Sequence, residues 1–317
     1  MSSAPLSRFA ELEAALPSPL TRLDWAPLRG VELWLKRDDL IHPVISGNKW
    51  RKLKGLFAEG ASALGAAEQV LSFGGARSHL LPALALALHK AGLKGLFVVR
   101  GEELNAESNP TLSYCARLGV ELYFERRERY QALRERAWRP EPEELARWGA
   151  TRGAFVLAEG GDAESARAGC AELWRELAAQ WAALSAQQLG GAQLDELWLC
   201  AGTGATARGL LSGIPAGSRL KLQVISAVRG ARREEAQTRA LAATRSIELD
   251  WLDERRFGGF GRLSPELSAL RERFIAETGL WIDAVYQAKL LWELIARRAA
   301  LSGRRVIWLH TGGLREL

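Results

Sequence analysis

Strand-like and helical stretches alternate along most of the chain, and four of the strand-like runs end in glycine. Phe73 leads into Gly74-Gly75-Ala76-Arg77-Ser78, and Ala158-Glu159 into Gly160-Gly161-Asp162. Cys200-Ala201 leads into Gly202-Thr203-Gly204-Ala205-Thr206, and Leu309-His310-Thr311 into Gly312-Gly313. Several runs are almost continuously apolar, as in a parallel sheet covered on both faces. The expected class is α/β, with helices wrapped around mostly parallel sheets. In an open sheet of this kind, ligands bind outside the carboxyl ends of the strands. One glycine there merely turns the chain; four such ends favour a large bound cofactor.

The pattern predicts strands over 31–36, 69–73, 95–99, 120–124, 155–158, 194–200, 220–228, 247–251 and 305–310. Helices are expected over 78–90, 110–118, 163–188, 205–213, 232–243, 265–278 and 288–301, and an irregular connection over 139–151. At 317 residues the chain can form two lobes. Its 48% hydrophobic and 25% charged content is ordinary for a globular protein. The net charge of +6 comes from arginines scattered among glutamates, with no basic block interleaved with aromatics. A nucleic-acid partner is therefore not expected.

Cys115, Cys170 and Cys200 sit in apolar contexts without metal-ligand spacing, and His42, His79, His89 and His310 form no metal pattern. The most apolar region, 80–99, is interrupted by His89, Lys90 and Lys94, so no membrane span is expected. With no secretory signal pattern at the N-terminus, the expected location is cytoplasmic.

Ser46-Gly47-Asn48-Lys49 lies between a strand-like run and a helix beginning near Trp50. A lysine at a glycine-marked turn into a helix faces the positive end of the helix dipole, which disfavours its ammonium form. An amine that can lose its proton is a Schiff-base nucleophile. The plain alternative makes Lys49 one more basic residue at a helix start, with Lys52 and Lys54 as solvated neighbours.

Gly202 to Thr206 leave a strand and open a helix, which makes a phosphate cup of backbone N–H groups and two hydroxyls. The spacing also satisfies the loose dinucleotide fingerprint. The next strand-like run, however, ends in Arg229 rather than an acid, which disfavours NAD and leaves an NADP-dependent reductase as a remote reading.

Taken together, Ser-Gly-Asn-Lys-x-Arg-Lys-Leu from Ser46, Gly-Gly-x-x-Ser ending at Ser78, Gly-Thr-Gly-x-Thr from Gly202 and His-Thr-Gly-Gly from His310 resemble the 1-aminocyclopropane-1-carboxylate deaminase/D-cysteine desulfhydrase family. The likeness runs from about Leu35 to Gly313. It implies a pyridoxal 5'-phosphate enzyme of the tryptophan-synthase β fold, also called fold type II. The large lobe would be 1–50 with 160–317 and the small lobe 51–159, with the cofactor in the cleft between them.

The resemblance makes Lys49 the residue that holds the cofactor covalently and then shuttles the Cα proton. Gly202, Thr203, Gly204, Ala205 and Thr206 would bind the cofactor phosphate. Ser78 would lie beside the substrate carboxylate, although its place at a helix start also suits an N-cap. Tyr286 would lie near the ring and the substrate, and Thr311 at the pyridine nitrogen. A homodimer is usual in the family.

Three departures bear on activity. His79 stands where the family has an asparagine at the phenolic oxygen, Phe260 stands for a tyrosine, and Gln287 for a glutamate used in ring opening. The expected reaction is β-elimination from D-cysteine or a related small amino acid, giving pyruvate, ammonia and sulfide. The alternatives are a 1-aminocyclopropane-1-carboxylate deaminase and a cofactor-binding protein with little catalysis. Asp162 is expected to cap the helix that follows it, and His310 to be packed at its strand end.

Overall fold

The structure, a computed structural model, describes residues 9, 12, 14–57, 64–228, 230–253 and 261–313. The strands are β1 (Leu20–Arg22), β2 (Glu32–Lys36), β3 (Gln69–Gly75), β4 (Lys94–Arg100), β5 (Glu121–Glu125), β6 (Phe155–Leu157), β7 (Glu196–Ala201), β8 (Lys221–Ser226), β9 (Leu249–Asp253) and β10 (Arg305–Leu309). The helices are α1 (Asn48–Leu56), α2 (Leu80–Ala91), α3 (Pro110–Arg117), α4 (Arg127–Glu135), α5 (Pro142–Trp148), α6 (Glu164–Gln188), α7 (Ala205–Gly213), α8 (Arg232–Thr244), α9 (Pro265–Thr278), α10 (Gln287–Ala296) and α11 (Arg298–Leu301).

They build two sheets, one of order β1-β2-β10-β7-β8-β9 and one of order β5-β4-β3-β6. Every pairing is parallel except β1 on β2, where Leu20 lies opposite Lys36. Both faces of each sheet are covered, which explains the unbroken apolar runs. In β7, Leu197 and Leu199 pack toward Leu173, Leu177 and Leu210, while Trp198 and Cys200 pack toward Phe274, Leu290 and Leu294. In the smaller sheet, Val70, Phe97 and Val99 face Leu81, Leu84 and Leu88, whereas Leu71, Phe73 and Val98 face Tyr130, Leu133 and Trp148.

The sequence pattern missed β1, whose three residues are too few to show alternation. It also read 139–151 as irregular, yet this stretch contains α5. Pro142 opens that helix, Glu141 and Glu144 form a reciprocal capping box, and Gly149 closes it in the left-handed region. The helix expected over 288–301 is two, meeting at Arg297.

Helix α6 is the spine that positions the site. A Cβ on Gly169 would lie 2.1 Å from the Arg51 carbonyl oxygen, so α1 and α6 touch backbone to backbone. Further along α6, a Cβ on Gly209 of α7 would lie 2.4 Å from the Cys170 Cβ. One helix thus holds both α1 and α7.

Buried charges reinforce that arrangement. Arg51 Nη2 donates to Asp38 at 2.8 Å and Nη1 to Glu176 of α6 at 2.6 Å, and the buried Lys36 also pairs with Glu176. Removing one member of such a buried cluster leaves its partner's charge uncompensated, at a cost of about 3–5 kcal/mol.

Candidate active site

The site is built where the carboxyl ends of β3, β7 and β10 meet the start of α1. Gly47 takes φ 60° and ψ −130°, a conformation reserved in practice for glycine, and Asn48 and Lys49 open the helix directly after it. The backbone N–H of Asn48 donates to the Thr311 carbonyl at 3.1 Å, which ties the helix start to the end of β10. Lys49 Nζ donates to Asn48 Oδ1 at 2.6 Å, and Asn48 Nδ2 donates to Thr206 Oγ1 at 2.9 Å. Burial, with Lys52 as a like-charged neighbour, brings the Lys49 amine down from 10.5 to about 7, against the opposing pull of Asp283. A substantial fraction is therefore uncharged at neutral pH.

The glycine-rich turn after β7 forms the second wall. Gly204 sits in the left-handed region at φ 72° and Ala205 begins α7, so successive N–H groups converge at a helix N-terminus. Three glycines keep this space clear. A Cβ on Gly202 would lie 3.2 Å from the Tyr286 hydroxyl, one on Gly204 2.8 Å from Arg208 Nη1, and one on Gly160 2.6 Å from the Thr203 side chain. Arg208 is buried; its Nη2 pairs with Asp162 and donates to the Thr203 carbonyl at 3.0 Å, while its Nη1 has no hydrogen-bond partner. An orphaned guanidinium nitrogen behind a helix N-terminus fits an anion in the cup.

Opposite lie the residues of α10. Asp283 accepts backbone N–H bonds from Val285 at 2.9 Å, Tyr286 at 2.7 Å and Gln287 at 3.2 Å, and so caps the helix that carries Tyr286 and Gln287. Burial, then Asp283 and Glu159, push the Tyr286 phenol well above its ordinary value of 10. The His79 ring lies edge-on to Tyr286 at 6.1 Å between centroids. Burial lowers His79 from its usual 6.5; Asp283 opposes this and Lys49 adds to it. The imidazole is thus neutral near pH 7. Ser78 Oγ accepts the Leu80 backbone N–H at 3.2 Å, as a capping residue does, and keeps its own proton to donate. Thr311 Oγ1 accepts from Gln287 Nε2 at 2.7 Å.

The expected residues Lys49, His79, Tyr286 and Thr311 are therefore joined to the cup of Gly202, Thr203, Gly204, Ala205 and Thr206 by direct contacts or by shared electrostatic neighbours. His310 is wholly buried, with Nε2 2.9 Å from the Trp281 carbonyl, as packing at a strand end requires. Two expectations change. Lys52 is no solvated neighbour: it is buried, donates from Nζ to the Gly160 carbonyl at 2.6 Å and stands next to the cup. Asp162 makes no cap bond to the following helix; its carboxylate is taken by Arg167 and Arg208. Phe260 and Arg229 lie outside the described residues.

Sequence reading also passed over Asp283 and Arg208. The first was detectable as an acidic residue just ahead of a helix; the second gave no signal, because its role depends on a contact with a loop 46 residues away. A polar depression of about 500 Å³ at the amino ends of β7, β8 and β10 has its acids Asp195, Glu196 and Glu248 paired with Arg305, Arg304 and Lys221 and holds none of the motif residues.

No family model matches the chain. A bifunctional D-cysteine desulfhydrase/1-aminocyclopropane-1-carboxylate deaminase, a mitochondrial protein of Arabidopsis thaliana, is 26% identical over 326 residues, covering 98% of this chain and 79% of that protein. The chain resembles this family along its whole length. A solved structure of a 1-aminocyclopropane-1-carboxylate deaminase homologue superposes with a TM-score of 0.72 at 22% identity, over 100% of this chain and 96% of that one. Serine racemase from Dictyostelium discoideum superposes with a TM-score of 0.65 at 14% identity, over 98% and 99% of the two chains. The structural likeness gives the fold: two mostly parallel α/β sheets arranged as in fold type II pyridoxal-phosphate enzymes. Among the described residues no helix is long and apolar enough to cross a membrane.

Proposed function

We propose that the chain is a pyridoxal 5'-phosphate-dependent lyase acting on a small amino acid, with β-elimination from D-cysteine or a close relative as its reaction. The observation that carries this reading is the continuous path Lys49–Asn48–Thr206, which makes a nucleophilic amine and a phosphate cup one hydrogen-bonded unit. An amine near pKa 7 is suited to condensing with an aldehyde, and the cup is suited to the phosphate on the same molecule.

In this reading Lys49 anchors the cofactor, and the N–H groups from Gly202 to Thr206 hold its phosphate with the hydroxyls of Thr203 and Thr206. Lys52 and Arg208 supply positive charge beside them. Thr311 meets the ring nitrogen, and neutral His79 offers one N–H to the phenolic oxygen. Once bound, the cofactor ring takes up the electron pair released at Cα. Lys49, freed by the substrate amine, removes the Cα proton. Ser78 donates a hydrogen bond from its hydroxyl to the substrate carboxylate. Tyr286, held neutral, serves as a hydrogen-bond donor beside the ring.

Gln287 favours elimination over cyclopropane ring opening. Its amide is wholly buried and shared between Thr311 and Trp308, so that position offers no carboxylate. The two lobes of 1–50 with 160–317 and of 51–159, closing over the substrate, belong to the same proposal, as do a homodimer and a cytoplasmic location.

The test is borohydride reduction of the purified protein with added cofactor, followed by peptide mapping, and then a panel of D- and L-amino acids assayed for keto acid, ammonia and sulfide. A reduced label on the Lys49 peptide and sulfide from cysteine are expected. A label elsewhere, or none, removes the cofactor reading; a correct label without turnover of any amino acid leaves a binding protein.

A further inference from the structure

The hydrogen bonds around Thr311 have directions that the chemistry of their donors fixes. Trp308 is wholly buried, and its indole nitrogen can only donate. It lies 2.7 Å from Gln287 Oε1, so the amide oxygen of Gln287 must face it. The other end of the same amide is then the NH2 group, which can only donate, and it lies 2.7 Å from Thr311 Oγ1. The Thr311 hydroxyl is thereby an acceptor toward Gln287, and its single proton is left to point elsewhere. Thr311 is buried, and its Oγ1 donates to no other described residue.

We propose that Gln287 is a positioning residue: oriented by Trp308, it compels the Thr311 hydroxyl to donate to the cofactor's ring nitrogen and so holds that nitrogen unprotonated. This rests on the reading that the ring nitrogen meets Thr311. It assigns Gln287 a task that a missing carboxylate does not describe. A donor aimed at the nitrogen fills its lone pair, and a proton already there would meet another proton head-on. An unprotonated ring stores negative charge poorly. It suits a reaction in which the electron pair from Cα leaves at once with a group on Cβ, and it disfavours reactions that hold that charge for long.

Two substitutions have different expected results. In Gln287→Glu a carboxylate accepts from both Trp308 and Thr311. The Thr311 proton turns toward residue 287, its lone pairs face the ring, and the nitrogen takes up a proton. In Thr311→Val the acceptor of the Gln287 amide is removed without disturbing Trp308.

The experiment is nitrogen-15 NMR of the full chain loaded with ring-labelled pyridoxal phosphate. It is accompanied by amide spectra of the cofactor-free protein with nitrogen-15 in its side chains. The expected wild-type ring signal is that of an unprotonated pyridine, moving to the pyridinium position in Gln287→Glu. The expected Gln287 side-chain amide signal of the cofactor-free protein shifts in Thr311→Val. A pyridinium signal in the wild type overturns the proposal, as does a ring signal that Gln287→Glu leaves in place, or a Gln287 amide that ignores Thr311→Val. A protein that takes up no cofactor defeats this inference and the functional reading together. That case differs visibly from failure of the relay alone, in which cofactor is still trapped at Lys49.

Discussion

Gly47 and Thr311 approach so closely that a Cβ on Gly47 would lie 1.9 Å from the Thr311 carbonyl oxygen. Two segments of the chain, separated in sequence by β3 to β10, are thus pressed together at the point where Lys49 begins α1. The contact is between backbones, so no rotamer change can relieve an added methyl group.

Gly47→Ala is therefore expected to destabilise the fold and disorganise the site together. A side chain in this region of backbone space costs about 1–3 kcal/mol, and overpacking adds about 1–3 kcal/mol. Urea unfolding of the cofactor-free protein should show a loss of at least about 2 kcal/mol. A variant as stable as the wild type would mean that the start of α1 is not held against β10.

Lys49 makes stability depend on pH in a definite sense. The unfolded lysine keeps its proton up to about 10.5, and the folded one releases it at about 7. Between those values the unfolded chain binds more protons, so stability rises with pH through that window. Burial shifts Lys36 and Lys52 in the same direction, so the comparison must be a difference. Wild-type protein minus Lys49→Met, both without cofactor, should gain stability from about pH 7 toward 10.5 and be flat below 7. The rate of covalent cofactor uptake by the wild type should rise with a midpoint near 7. A midpoint close to that of a free lysine would show that the amine is not desolvated.

Much of this site was legible in the sequence, and the reasons differ by residue. Lys49, the glycine-rich turn after β7 and Thr311 lie in short runs whose glycines are needed locally, so each leaves a compact signal. The buried strands showed themselves as apolar runs because both faces of each sheet are covered. Lys52, Arg208 and Asp162 were misread or overlooked because their environments are made by distant segments. Lys52 sits under Gly160, and Arg208 reaches Asp162 across 46 residues. A charged residue on a short helix reads as solvated until the fold buries it. Gln287 shows the same limit: its replacement of a carboxylate was visible, but its coupling to Trp308 exists only once β10 and α10 have packed.

Gly204→Asp should separate cofactor binding from folding. The position has φ 72°, which aspartate tolerates better than most residues, and the new side chain would point at the orphaned Arg208 Nη1. An ion pair there would offset much of the backbone cost. The same carboxylate would repel a phosphate in the cup. Cofactor dissociation should weaken about tenfold or more, equivalent to about 1.4 kcal/mol, while the melting temperature of the cofactor-free protein changes little. Unchanged affinity would place the phosphate elsewhere.

The last expectation concerns the order of substrates. D-Cysteine or β-chloro-D-alanine should be turned over with higher kcat/KM than 1-aminocyclopropane-1-carboxylate. Elimination asks little of the site: a base for the Cα proton, a leaving group at Cβ, and a ring that holds charge only briefly. Lys49, with its amine near pKa 7, meets the first need, and a Thr311 hydroxyl aimed as a donor meets the third. Cyclopropane ring opening starts without a Cα proton and needs a nucleophile or acid at the ring carbons. Tyr286 is present and neutral, but residue 287 presents an amide already committed to Thr311 and Trp308. The assay is pyruvate release from the two elimination substrates beside 2-oxobutyrate release from the cyclopropane. A higher efficiency on the cyclopropane would show that Ser78 and Tyr286 open the ring without a carboxylate at position 287.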